Sequence, residues 1–167
     1  MRLLLLRHAE AEDRARSCAD VDDASRALTA PGRRTMLKIG NRLRILERRV
    51  DRIASSGLVR SEQTADVLAG VYRRAKRVQI LALAPGGALE SVVEWLEQQP
   101  KDSVVALVGH EPGLGRLAGL LVAGRPSRAL ALKTGGVCML AFDAPPGPAA
   151  GMIRWMLTPS QIQRLKF

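Results

Sequence analysis

Hydrophobic residues fall into short runs separated by longer stretches of helical spacing. The first run, Leu3-Leu4-Leu5-Leu6, stops abruptly at Arg7-His8. An apolar run without alternation marks a strand buried on both faces, as in a parallel sheet covered by helices. Ser103 to Gly109 repeats the arrangement and stops at His110. Asp51 to Gly57 and Val78 to Leu83 predict two further strands. The last third predicts a strand pair, Gly136 to Phe142 and Met152 to Leu157, joined by a hairpin loop rich in Pro, Gly and Ala.

Between these runs the spacing turns helical. Thr29 is a candidate N-cap, Pro31 sits where a missing N–H costs nothing, and Met36, Ile39, Leu43 and Leu46 recur on one face. Arg33, Arg34, Lys38, Arg42 and Arg49 occupy the other faces. A second helix starts near Leu58, with Val59, Gln63, Val67 and Gly70 on related turns. Two more carry Leu89, Val92, Val93 and Leu96, and then Leu114, Leu117, Leu120 and Leu121. Residues 9 to 28 hold six carboxylates without a hydrophobic period and predict a polar loop. Strands alternating with helices and closing on a hairpin predict a three-layer α/β/α sandwich, with a mostly parallel central sheet and an antiparallel C-terminal strand pair. A chain of 167 residues suffices for one core, so a single domain over residues 1–167 is expected.

Composition narrows the function. The net charge of +10 favours acidic partners, while an aromatic content of 3% argues against the stacking platforms of single-strand binders, making nucleic acid an unlikely partner. The opening leucines fall short of a signal-peptide core, and no run approaches the ~20 apolar residues of a membrane span, so a cytoplasmic protein with no membrane partner is expected. Cys18 and Cys138 lack metal-type spacing, and neither is followed six residues later by the arginine of a cysteine-phosphatase loop. Asp20-Val21-Asp22 has the composition of a metal-dependent phosphatase motif, but no apolar strand precedes it.

The chain contains two histidines, His8 and His110, each ending a predicted strand. Parallel strands would bring both to one rim, with Arg7 and with Arg60 from the first turn of the second helix. Guanidinium groups suit phosphate, and a neutral imidazole is a nucleophile near neutral pH. Backbone N–H groups where Glu111-Pro112 opens the fourth helix can also reach an anion. Adjacent guanidiniums would repel a cation, so no metal or other cofactor is expected. Glu90 and Glu94, early in the third helix, are candidate general acids, although negative charge is favourable there in any case.

Arg7-His8, Leu28-Thr29-x-x-Gly32, the run Ser56 to Ala65 and Gly109-His110-Glu111-Pro112, in that order, resemble the histidine phosphatase (phosphoglycerate-mutase-like) superfamily. Within it the opening is most similar to SixA-type phosphohistidine phosphatases. The resemblance implies that His8 accepts the phosphoryl group and that Arg7, Arg60, His110 and Glu111 surround the phosphate. It implies a phosphatase of phosphohistidine in a signalling protein, with a small phosphate ester as the alternative substrate. The family commonly has Pro where Gly57 stands. A non-catalytic basic module binding phosphate or nucleic acid is the alternative from a different class.

Overall fold

The computed structural model describes residues 1–13 and 22–165. Cys18, Asp20 and Val21 lie outside them. Six strands, β1 (Arg2–Arg7), β2 (Arg52–Ser55), β3 (Lys76–Gln79), β4 (Val104–Gly109), β5 (Val137–Phe142) and β6 (Gly151–Leu157), form one sheet in the order β3-β2-β4-β1-β5-β6. The first four strands in that order are mutually parallel, β5 runs antiparallel to β1, and β6 runs antiparallel to β5. Helices α1 (Ala30–Leu46), α2 (Val59–Val71) and α5 (Pro159–Arg164) cover one face, and α3 (Leu89–Glu97) and α4 (Gly113–Ala123) cover the other.

The leucine run explains the layering. Leu4 and Leu6 join the apolar cluster with Met36, Ile39, Leu43 and Leu68, whereas Leu3 and Leu5 join the one with Leu96, Leu114 and Leu117. Successive side chains of a strand point to opposite faces, so a strand feeding two cores must be apolar at every position. The three-layer architecture, the parallel sheet and the antiparallel C-terminal pair agree with the expectation.

Three local expectations differ. The third strand is Lys76–Gln79, and Leu81–Leu83 forms a short 3-10 turn. β3 lies at the sheet edge, where charged residues are tolerated. The apolar Ile80 and Leu83 beyond it pack with α3 instead. In α2 the buried face is Arg60, Ser61, Thr64, Ala65, Leu68 and Val71, not Val59, Gln63, Val67 and Gly70. Small polar residues go inward there because each finds a partner: the Ser61 hydroxyl donates to the Val108 carbonyl (2.9 Å), and the Thr64 hydroxyl donates to the Arg60 carbonyl (2.7 Å). Leu46, expected on the buried face of α1, is exposed at its end. The sequence pattern also missed helix α5, although Thr158 and Gln161 form a capping box and Ile162 is buried.

The Leu-Thr-x-x-Gly entry to α1 has a steric origin. The Thr29 side chain accepts from the Gly32 N–H (2.9 Å), and the Thr29 N–H donates to the Glu10 carbonyl (3.0 Å). A Cβ on Gly32 would lie 2.1 Å from that carbonyl oxygen, so this turn and the segment after β1 meet only through glycine. Gly32→Ala is expected to destabilise the protein by about 1–3 kcal/mol. Gly70→Ala, within α2 and with nothing near its Cβ, should be neutral or stabilising by about 0.5–1 kcal/mol. Urea unfolding of both variants checks the pair.

Candidate active site

Backbone pairing sets the site. The parallel register of β1 with β4 places Arg7 beside Gly109, and the His8 N–H donates to the Gly109 carbonyl (3.0 Å). The next residue of each strand is a histidine, and the ring centroids of His8 and His110 lie 4.9 Å apart. β1 leads to α1 on one face and β4 to α4 on the other. Adjacent strands whose chains depart to opposite faces leave a crevice at their carboxyl ends, where α/β proteins bind ligands.

The two rings are oriented by different partners. His8 Nδ1 lies 2.7 Å from the Ala9 carbonyl, which can only accept, so Nδ1 carries the proton and Nε2 keeps its lone pair. His110 Nε2 lies 2.7 Å from the Ser56 hydroxyl. Ser56 Oγ accepts from the Leu58 N–H (3.4 Å), and the one acceptor within reach of its hydroxyl proton among the described residues is Nε2 of His110. Nδ1 of His110 is then a donor, and it is buried with no hydrogen-bond partner among the described residues. Nε of Arg7 and Nε of Arg60 are in the same condition. Buried N–H groups left in this state favour an anion.

The arginines are held by their own acceptors. Arg60 is 3% exposed, and its two terminal nitrogens donate to Asp23, one to the backbone carbonyl (2.6 Å) and one to the carboxylate (2.9 Å). Asp23 also pairs with Arg26 (2.9 Å). Arg7 donates to the Leu132 carbonyl (3.0 Å). The N–H of Leu132 donates to the Glu111 carboxylate (2.8 Å), which also accepts from the Gly115 N–H (3.3 Å). The Glu111 carboxylate is therefore occupied by backbone donors and acts on Arg7 through the Leu132 peptide.

Electrostatics keep both imidazoles neutral. Burial pulls the His8 pKa from 6.5 to about 4; the charges of Arg60, Arg7 and Arg26 act in the same direction, and the bond to Ala9 opposes them. Burial, then His8, Arg60 and Arg7, take His110 to about 3 against the pull of Asp23. Burial raises the Asp23 carboxyl, but pairing with Arg60 and Arg26 outweighs it and holds the pKa below the ordinary carboxylate value. Among the described residues no group of three His, Cys, Asp or Glu is arranged to hold a metal ion.

Arg7, His8, Arg60 and His110 are thus brought together. Glu90 and Glu94 are exposed on α3 and make no hydrogen bond or ion pair with either imidazole. The carboxylate placed at the site is Asp23, which in the sequence is one of six within the polar loop. The signal for it is weak: an Asp three residues before Arg26, just ahead of Leu28-Thr29. Gly57, where Pro is common, has φ +87°, which proline cannot adopt, and its N–H donates to Glu62 (3.2 Å). Cys138 is buried in β5, and burial pushes its thiol up to about 11.

An α/β sandwich with two imidazoles and two guanidiniums at a strand-end crevice is a site whose chemistry suits phosphate. The comparisons give the family. Residues 3–82 match the model of the histidine phosphatase superfamily (branch 1). An uncharacterized protein of Picosynechococcus sp. is 34% identical over 146 residues, covering 86% of this chain and 87% of that protein. The structure of the protein histidine phosphatase SixA complexed with tungstate superposes with a TM-score of 0.81 at 21% identity, covering 96% of this chain and 98% of that one. An alpha-ribazole phosphatase from Shigella flexneri gives 0.74 at 16% identity over 95% of this chain and 97% of that one. This chain belongs to the histidine phosphatase superfamily. Among the described residues, no helix is long and apolar enough to cross a membrane.

The depressed imidazole pKa values set a pH dependence. As pH falls from 6.5 the unfolded chain takes up protons first, so the stability associated with the buried neutral rings is complete above 6.5 and is lost on the way down to about 4. Proton NMR should show neither histidine ring titrating between about pH 7 and about pH 5.5. A ring midpoint near 6.5 in the folded protein would overturn the electrostatic account.

Proposed function

We propose that the protein is a metal-independent phosphatase that passes a phosphoryl group through Nε2 of His8, and that its substrate is a phosphohistidine in a signalling protein. The reading takes residues 1–167 as one catalytic domain working without a cofactor in the cytoplasm. The observation that carries it is the 2.7 Å bond from His8 Nδ1 to the Ala9 carbonyl. That bond commits the ring proton to one nitrogen, and burial among guanidiniums keeps the other unprotonated. Nε2 attacks phosphorus, and the N–P bond forms as the bond to the leaving group breaks in line. Arg7, Arg60 and the Nδ1–H of His110 stabilise the equatorial oxygens, a role in which removing one donor typically costs ~10²–10³ in rate. Water then attacks the phosphorus of phospho-His8, returning the electron pair to Nε2 and releasing inorganic phosphate.

The substrate reading is supported by what stands beside the leaving group. Asp23 is held ionised by its arginines, and Glu90 and Glu94 do not contact the site. An alkoxide leaving a phosphate ester is strongly basic and gains ~10²–10⁴ in rate from a proton donor. An imidazole protonated on its other nitrogen leaves as a neutral ring without help. The net charge of +10 suits an acidic protein partner, and the likeness to SixA supports the same reading. The similar fold of an alpha-ribazole phosphatase supports a small phosphate ester as the second reading.

Rapid-quench experiments should trap an acid-labile phosphoryl label in the wild-type protein and none in His8→Ala, with turnover lowered by about 10³ or more. Full turnover in His8→Ala would end the proposal. Against a panel of substrates, kcat/KM for a phosphohistidine protein should exceed that for sugar phosphates by about 10². The reverse order would assign small esters. Anion binding without turnover, unchanged in His8→Ala, would indicate a binding module.

A further inference from the structure

A second electropositive feature lies at the other end of the sheet. α1 and α2 run back along the strands, so their carboxyl ends meet near the amino ends of β2 and β3, roughly 15–20 Å from the histidines along the strand direction. There Arg44, Arg48, Arg49, Arg73 and Arg74 ring a concave cavity of about 540 Å³. That volume is within the range of small-molecule sites.

The charge is not neutralised locally. Asp51 is the one carboxylate lining the cavity, and it is taken by Arg49 (2.7 Å) and by the Val104 N–H (2.8 Å). The nearby Glu47 is buried and pairs with Arg2. Arg44, Arg48, Arg73 and Arg74 are exposed and have no carboxylate partner among the described residues. The helix macrodipole accounts for one of them, because Arg44 is the basic residue in the last turn of α1, and α2 has none in its last turn. Arg48, Arg73 and Arg74 lie beyond the helix ends and repel one another across the concavity.

The walls are also fixed. The Tyr72 hydroxyl donates to the Glu47 carbonyl (2.8 Å), joining the segment after α2 to the segment after α1. The Glu47 N–H caps α1 through the Leu43 carbonyl (2.7 Å), and the Glu47 carboxylate accepts from the Arg49 N–H (3.2 Å). Forked guanidiniums on a rigid concave floor match phosphate oxygens better than a flat acidic protein face. We propose that this cavity binds a compact ligand carrying a chain of two or more phosphates, at a site separate from His8 and His110. The inference stands independently of the catalytic reading.

Calorimetric titration of the full chain with ATP and with inorganic tripolyphosphate tests it. Saturable one-to-one binding is expected, weakened about tenfold or more by Arg48→Glu with Arg73→Glu. The control pair Arg33→Glu with Arg34→Glu, elsewhere on α1 and equal in charge change, should alter affinity by less than about threefold. Hydrolytic turnover should be unchanged in both pairs. Where charge reversal unfolds the protein, Arg48→Gln with Arg73→Gln serves. Tighter binding of ATP than of tripolyphosphate would make the ligand a nucleotide, and equal binding would make it the phosphate chain itself; both support the site. No saturable binding, or equal loss in the two reversed pairs, overturns it, as does binding that survives Arg48→Glu with Arg73→Glu.

Discussion

Parallel pairing of β1 with β4 in a register that sets Arg7 beside Gly109 removes the freedom of the residues that follow. Two rings separated by more than a hundred positions in the chain are forced into contact by ladder hydrogen bonds that continue to the His8 N–H. The strands hold this register because they lie side by side in the middle of the sheet, with Leu3 to Leu6 and all of β4 buried. A slip of one residue would move Leu4 and Leu6 out of one apolar cluster and Leu3 and Leu5 out of the other. The precision of the site is thus inherited from the core.

Crowding cations around a buried pocket is unfavourable unless something compensates, and the molecule compensates unevenly. Arg60 receives a carboxylate and a carbonyl from Asp23, and Arg7 receives the Leu132 carbonyl alone. The imidazoles relieve the remaining repulsion by staying neutral. A phosphoryl dianion entering this setting meets donors already oriented and two rings that add no competing charge. The same guanidiniums that would attract phosphate therefore help to keep Nε2 of His8 unprotonated.

The strand-end histidines are legible in the sequence because each apolar run stops at a polar residue with nothing to soften the change. Arg60 is legible because a cation in the first turn of a helix opposes the macrodipole. Asp23 is not, because its role depends on a loop fold that leaves no periodic trace, and its partner is thirty-seven residues away. For Glu111 the pattern indicates the neighbourhood and is silent on what the carboxylate touches. Proximity to His110 is visible in sequence, but the backbone N–H of Leu132 that claims the carboxylate is a tertiary fact. The buried face of α2 escapes the pattern for a related reason. Ser61 and Thr64 turn inward because carbonyls await their hydroxyls, and hydropathy periodicity does not register such partners.

Cys138 gives the proposed use of nitrogen a chemical consequence. An enzyme that attacks through sulfur must keep a reactive thiolate within reach of substrate, and so within reach of peroxide. Here the described thiol is shut inside β5 with its proton firmly attached, and the proposed nucleophile has no sulfur to oxidise. Under the proposed mechanism, turnover does not depend on keeping a thiolate reduced.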